Sequence, residues 1–282
     1  MKSLKFAWAL PLAALLILAA CNKDNVENQF DAVAEDVMML KSEQVSGADA
    51  DAVTLKCPGC DVEAMRGCMQ DDCADITDSG EGTFPRTITL DYGDGCEDAR
   101  GHVKKGKIVI VVSAEMDLPG AVRTTTFDNF FVDDRQMIGT RTLTNISGEA
   151  AVNPSFAFSD VVEMIHDGRS RSKTAEGTRT WIAGFDTRAD RTDDIFEMTG
   201  ISSMSCREGQ AMSRTIIEPV VFDAACGYPV SGIVEMTKPR GGIITLNFGD
   251  GTCDDQATVT HDDGTTETVD LDDMPKPGKG RK

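Results

Sequence analysis

The sequence predicts a mainly β protein, an antiparallel meander or sandwich preceded by a short amphipathic helix and a Cys-rich segment. Three observations predict it. Runs rich in Thr, Val, Ile and Phe recur from Gly82 to Leu271, and clusters of Gly, Asp and Asn punctuate them. No long helical period interrupts these runs. The connections between them are of hairpin length, which joins antiparallel neighbours and is too short for parallel crossovers.

The elements follow in chain order. Residues 1–20 form a signal peptide: Lys2 and Lys5 are followed by an apolar run from Phe6 to Ala20. That run falls short of the roughly twenty residues a transmembrane helix needs. Residues 21–28 are polar and read as a tether. Residues 29–80 hold a short helix and an acidic, Cys-rich segment. In the helix, Phe30, Val33, Ala34, Val37 and Leu40 fall at helical spacing, ending near Gln44. Residues 81–271 form the β domain. Its first strand, "TITLDY", alternates Ile88, Leu90 and Tyr92 against Thr87, Thr89 and Asp91. "KIVIVVS" is continuously apolar from Ile108 to Val112 and reads as central. "TTTFDNFFV", "TRTLTNI", "TRTWIAGF", "RTIIEPVVF", "SGIVEMT", "GIITLNF" and "QATVTH" follow. Residues 272–282, rich in Pro, Gly and Lys, read as a disordered basic tail.

Composition bounds the function. The chain carries 28 Lys and Arg against 47 Asp and Glu, a formal charge of −19. Such a surface argues against nucleic acid as a partner. Hydrophobic residues make up 40%, enough to build a core. No G-x-S-x-G elbow, H-E-x-x-H helix, Walker A loop or G-x-G-x-x-G turn occurs, and the three histidines are far apart in sequence, so no enzyme chemistry is expected. No cofactor is expected either.

The nine cysteines are Cys21, Cys57, Cys60, Cys68, Cys73, Cys96, Cys206, Cys226 and Cys253. Without Cys21 the number is even, and in an exported chain this points to disulfides. Spacing does not fix their connectivity. The run from Cys57 to Cys73 has three readings: a knot of structural disulfides, which is preferred, a C-x-x-C redox pair in "CPGC", or a zinc site. "YGDGC" at Tyr92–Cys96 returns as "FGDGTC" at Phe248–Cys253, after strands that also align. Asp-Gly favours type I′ hairpin turns, so two hairpins are expected, and a Cys96–Cys253 bridge would staple equivalent places. Calcium is the weaker reading, because glycine occupies positions where an EF-hand-like loop needs oxygen ligands. Asp186, Asp190, Asp193 and Asp194 form a second, weak calcium candidate. Arg-Thr recurs at Arg86, Arg123, Arg141, Arg179 and Arg214. Pairing of these arginines with carboxylates across strands is the preferred reading, and a row binding an anionic glycan is the alternative.

The end of the signal, Leu18-Ala19-Ala20-Cys21, resembles the lipobox of bacterial lipoproteins. That resemblance implies a lipidated Cys21 at the mature N-terminus and a membrane partner through the lipid. Lys23-Asp24 after the cysteine, the short acidic helix and the Thr-rich strands with "ITLDYGDGC" resemble uncharacterised lipoproteins of Bacteroidota-type outer membranes. The resemblance implies an outer-membrane, lipid-anchored location, on either the cell surface or the periplasmic face, and it carries no activity. A non-enzymatic binding or structural role with a protein or glycan partner is therefore expected. The alternatives are a thiol–disulfide protein using Cys57 and Cys60 and a calcium-dependent surface adhesin.

Overall fold

The Thr-rich segments pair in sequence order into one antiparallel sheet. The computed structural model describes residues 47–271 except 70–72, 81, 99–100, 150, 189, 191, 206–210, 227 and 239–240. Cys21, Cys206, the helix expected from Phe30 to about Gln44 and the tail 272–282 lie outside the described residues. Two short helices precede the sheet: α1, described over residues 47–54, and α2 (Val62–Met69). No helix among the described residues is long and apolar enough to cross a membrane.

The strands are β1 (Asp75–Asp78), β2 (Arg86–Asp91), β3 (Cys96–Glu97), β4 (Val103–Val112), β5 (Val122–Val132), β6 (Arg135–Asn145) and β7 (Ser155–His166). After them come β8 (Arg169–Ala183), β9 (Ile195–Ser205), β10 (Ala211–Asp223), β11 (Pro229–Thr237), β12 (Ile243–Asp250), β13 (Gln256–Thr260) and β14 (Thr266–Asp270). Each pairs with the next, except that β2 pairs with β4 and the short β3 lies off this path beside β4. The arrangement is the expected antiparallel meander, in a single sheet.

Alternation sets the two faces. In β2 the inward residues Arg86, Ile88 and Leu90 are buried, while Thr87, Thr89 and Asp91 are less so. The buried residues form two large groups. One lies on β1–β8 beneath α1 and α2, around Leu90, Ile108, Ile110, Phe130 and Trp181. The other lies on β10–β14, around Val234, Met236, Ile244, Leu246 and Phe248.

The GDG repeat has a structural cause, though not the expected one. Asp91 accepts a hydrogen bond from the Gly93 N–H (2.9 Å), and Asn247 accepts the equivalent bond from Gly249 (2.9 Å). Gly93 and Gly249 both take positive φ, which glycine adopts without strain. Each copy is thus an Asx turn closing a strand, not the centre of a two-residue hairpin. The tight hairpins with positive φ at both central residues are Asp133-Asp134 and Asp167-Gly168.

The expected Cys96–Cys253 bridge is also corrected. Cys73 bonds Cys96 and Cys226 bonds Cys253. Each bridge spans a pair of strands, β1–β2 or β11–β12, from just before the first strand to just after the Asx turn. The repeated unit is therefore cysteine, strand, strand, Asx turn, cysteine. Cys57 bonds Cys60. Three of the four cysteines in the first cluster are spent on disulfides, which removes the zinc reading, and the half-buried Cys68 lies on α2.

Candidate binding cleft

Between the two cores the inward face changes character. The register carries one row of cross-strand partners through Ile88, Ile110, Thr125, Arg141, Asp160, Ala175, Ser202, Arg214, Met236 and Ile244. Both ends of the row are core hydrophobes; the middle is charged or small.

The small residues explain the space. On β8 and β9 the inward positions are Ala175, Gly177, Gly200 and Ser202. Gly177 and Gly200 are cross-strand partners. A Cβ on Gly177 would lie 2.0 Å from the Thr199 carbonyl oxygen and 2.7 Å from Cζ of Phe158, so the Phe158 ring occupies the notch that glycine leaves. Beside that filled notch, the small Ala175, Gly200 and Ser202 line a cleft of about 680 Å³. That is within the usual range for small-molecule sites. The residues of α1 close one side.

Five cations line this cleft: Arg123, Arg141, Lys173, Arg179 and Arg214. Three carboxylates, Asp51, Asp160 and Asp223, accompany them among the described residues. The remaining wall is apolar, with Leu143, Phe158, Phe196, Met198, Ile216, Phe222 and Tyr228.

Four of the five Arg-Thr arginines therefore meet in one place. The preferred reading, carboxylate pairing, also holds for three of them. Arg123 donates to Asp51 (2.6 Å), Arg179 donates to the other oxygen of Asp51 (2.8 Å) and Arg141 donates to its cross-strand partner Asp160 (3.3 Å). Arg86 stands apart. It is buried outside the cleft, bonds Asp78 (2.8 Å) and donates to the Cys60 carbonyl oxygen.

Arg179 is not used up by Asp51. Its Nε and Nη2 are buried and have no hydrogen-bond acceptor among the described residues. Its guanidinium stacks 4.9 Å above the Phe196 ring. Burial alone would raise the pKa of Asp51; Arg179 and Arg123 outweigh it and hold the carboxyl well below its ordinary range. Burial pushes Arg123 down despite Asp51, and the neighbouring Arg179 and Arg141 add to that.

α1 sends a second aspartate the other way. Asp49 accepts bonds from Lys104 Nζ (2.7 Å) and the Tyr92 hydroxyl (2.7 Å). Lys104, 2% exposed at its side chain, also reaches Asp98 (3.1 Å). Beyond the end of α1, Lys56 pairs with Asp194 and lies 4.2 Å over the Trp181 ring.

The other expected sites are dispersed. Asp194 binds Lys56, Asp193 accepts from the Thr187 hydroxyl, and Asp190 accepts from Thr192 (2.6 Å). Asp186 lies on a short 3-10 turn, and Arg188 reaches away to Asp117 (2.9 Å). No group of three potential metal ligands occurs among the described residues. The histidines do not gather: His102 meets Asp133 and His261 meets Glu267, each at 2.8 Å. Cys57–Cys60 lies between α1 and α2, not between a strand and a helix as in thioredoxin-like folds, and Cys57 is buried.

Sequence reasoning missed Asp51, Lys173, the aromatic wall and the small residues. The available signal was the alternation of Ala175 with Gly177 and of Gly200 with Ser202, which marks an inward face without bulk. The chain matches no protein-family model, no curated protein and no solved structure.

Proposed function

We propose that this is a lipid-anchored cell-envelope protein, tethered to the outer membrane through Cys21, with a non-enzymatic role as the binder of an anionic ligand. The observation that carries the binding role is the convergence of Arg123, Arg141, Lys173, Arg179 and Arg214 on one open cleft in an otherwise acidic chain. A low-dielectric cleft whose charged lining is mostly cationic favours anionic ligands. The three disulfides support an oxidising compartment. The lipobox supports the anchor: each buried methylene contributes about 0.8 kcal/mol, so two or three chains on Cys21 would hold the protein for its lifetime.

Two measurements test this reading. Mass spectrometry of the protein from a membrane fraction should find Cys21 as a diacylglyceryl-modified N-terminus. A mature chain that retains residues 1–20 would remove the anchor. For the cleft, melting of the mature chain should rise in phosphate relative to chloride at matched ionic strength, through ligand linkage. The rise should vanish in Arg141→Gln/Arg179→Gln. An equal melting temperature in both salts would remove the anion role.

The bond between Cys57 and Cys60 supports the alternative of thiol–disulfide exchange. That reading requires the pair to open in the native fold under mild reductant while Cys73–Cys96 stays closed.

A further inference from the structure

Resting on the anion-binding reading, we infer that the ligand is an acidic amphiphile, with a carboxylate or phosphate head on Arg179 and an apolar chain along Phe158, Met198, Phe196 and Phe222. The spacing of rows along the strands carries this. Inward residues on one strand are about 6.6 Å apart. The row through Ala175 holds the polar groups Arg141, Asp160, Ser202 and Arg214, and Lys173 lies in the row before it, between Val162 and Met204. The later rows bring Met198 opposite Arg179 and Phe222 opposite Phe196. The cleft therefore grades from charged to apolar along β8 and β9, and Arg179 stands where the two zones meet.

Arg179 has what a head group needs. One of its terminal nitrogens is fixed on Asp51, which orients the guanidinium, while Nε and Nη2 are buried without an acceptor among the described residues. Buried donors of this kind are costly unless something accepts from them. Nε and one terminal nitrogen form the side of the guanidinium fork that grips a carboxylate or phosphate with two parallel bonds. An anionic sugar would satisfy these donors too, but it would place its many hydroxyls against phenylalanine and methionine, where they find no partners.

Trp181, the single tryptophan beyond residue 20, packs against Phe196 (ring centroids 5.2 Å apart) and reports on the apolar zone. The test titrates the mature chain with dodecyl phosphate, laurate, inorganic phosphate, glucose 6-phosphate and dodecyl maltoside, below micelle-forming concentrations, following Trp181 fluorescence and calorimetry. Dodecyl phosphate or laurate should bind at least about tenfold more tightly than the three other probes; the stronger of the two names a phosphate or a carboxylate head. Arg179→Met should weaken the acidic amphiphiles by about 10- to 100-fold, the range for a hydrogen bond to a charged group. Ala175→Phe fills the cleft without removing a charged group and should abolish their binding even if Arg179→Met unfolds the chain. If inorganic phosphate or glucose 6-phosphate binds as tightly as dodecyl phosphate, the anion reading stands and the amphiphile is overturned. If dodecyl maltoside matches the acidic amphiphiles, the head-group assignment is overturned. If nothing binds, both readings fail together.

Discussion

Asp49 and Asp51 sit two residues apart on α1, each holding buried or half-buried cations, and the two clusters behave as opposites. The Asp49 cluster is closed: Lys104 has two carboxylates, and Asp49 takes a second bond from Tyr92. The Asp51 cluster is open: two arginines share one carboxylate at the wall of a cleft, and Arg179 keeps two donors in reserve. A helix advances about 100° per residue, so positions two apart face different ways and one helix can fasten both sides. The difference teaches that ion-pair count does not separate scaffold from site. What separates them is whether the donors are exhausted.

The largest test of this contrast is Lys104→Met. It strands Asp49 and Asp98 as buried carboxylates without their cation and should cost about 3–5 kcal/mol in a urea unfolding experiment. Any molecules that remain folded should bind dodecyl phosphate as before. Loss of binding at full stability would erase the distinction between the two clusters.

Asp51→Asn should cost less, about 1–3 kcal/mol, because the amide still accepts a hydrogen bond from an arginine. It should also tighten anion binding by leaving Arg123 and Arg179 less neutralised. Weaker anion binding would mean that Asp51 orients the arginines more than it competes with a ligand.

The smallest effect is the pH response, and it differs in sign between the clusters. Asp51 titrates below its ordinary 3.8, so its contribution is complete above that value and is lost as pH falls. Burial lowers Lys104, but Asp49 and Asp98 outweigh it and raise it above 10.5; its contribution is complete below that value and is lost as pH rises. Asp51→Asn should therefore flatten the acid limb of the stability profile, and Lys104→Met the alkaline limb. Both variants flattening the same limb would contradict the assignment.

Much of the sheet was legible in sequence. "TITLDY", "KIVIVVS" and "GIITLNF" carry alternating or continuous apolar runs bounded by turn residues, and they lie in β2, β4 and β12. β7 and β9 were not read as strands, because "SFAFSDVVEMIH" and "IFEMTGISSMS" mix small, acidic and apolar residues. Their inward positions line a cleft instead of a core, so alternation of polarity fades there. The helix at 47–54 was missed because its few apolar residues are mostly alanine. The Arg-Thr recurrence flagged the arginines, but only the register shows that four of them share one space. Arg141 and Arg179 lie mid-strand and not at strand starts, since the long β6 and β8 begin several residues earlier. Disulfide partners depend on which strands adjoin, and the spacing of the cysteines holds no record of that.

The cleft owes part of its capacity to atoms that Ala175 and Ser202 do not have. Volume and charge are thus specified by separate residues on neighbouring strands. A substitution at Ala175 or Ser202 would shorten or reshape the guest that is admitted and leave the guanidinium groups as they are. Related chains could diverge in the length of molecule they accept through a methyl group at a time, without rebuilding the scaffold.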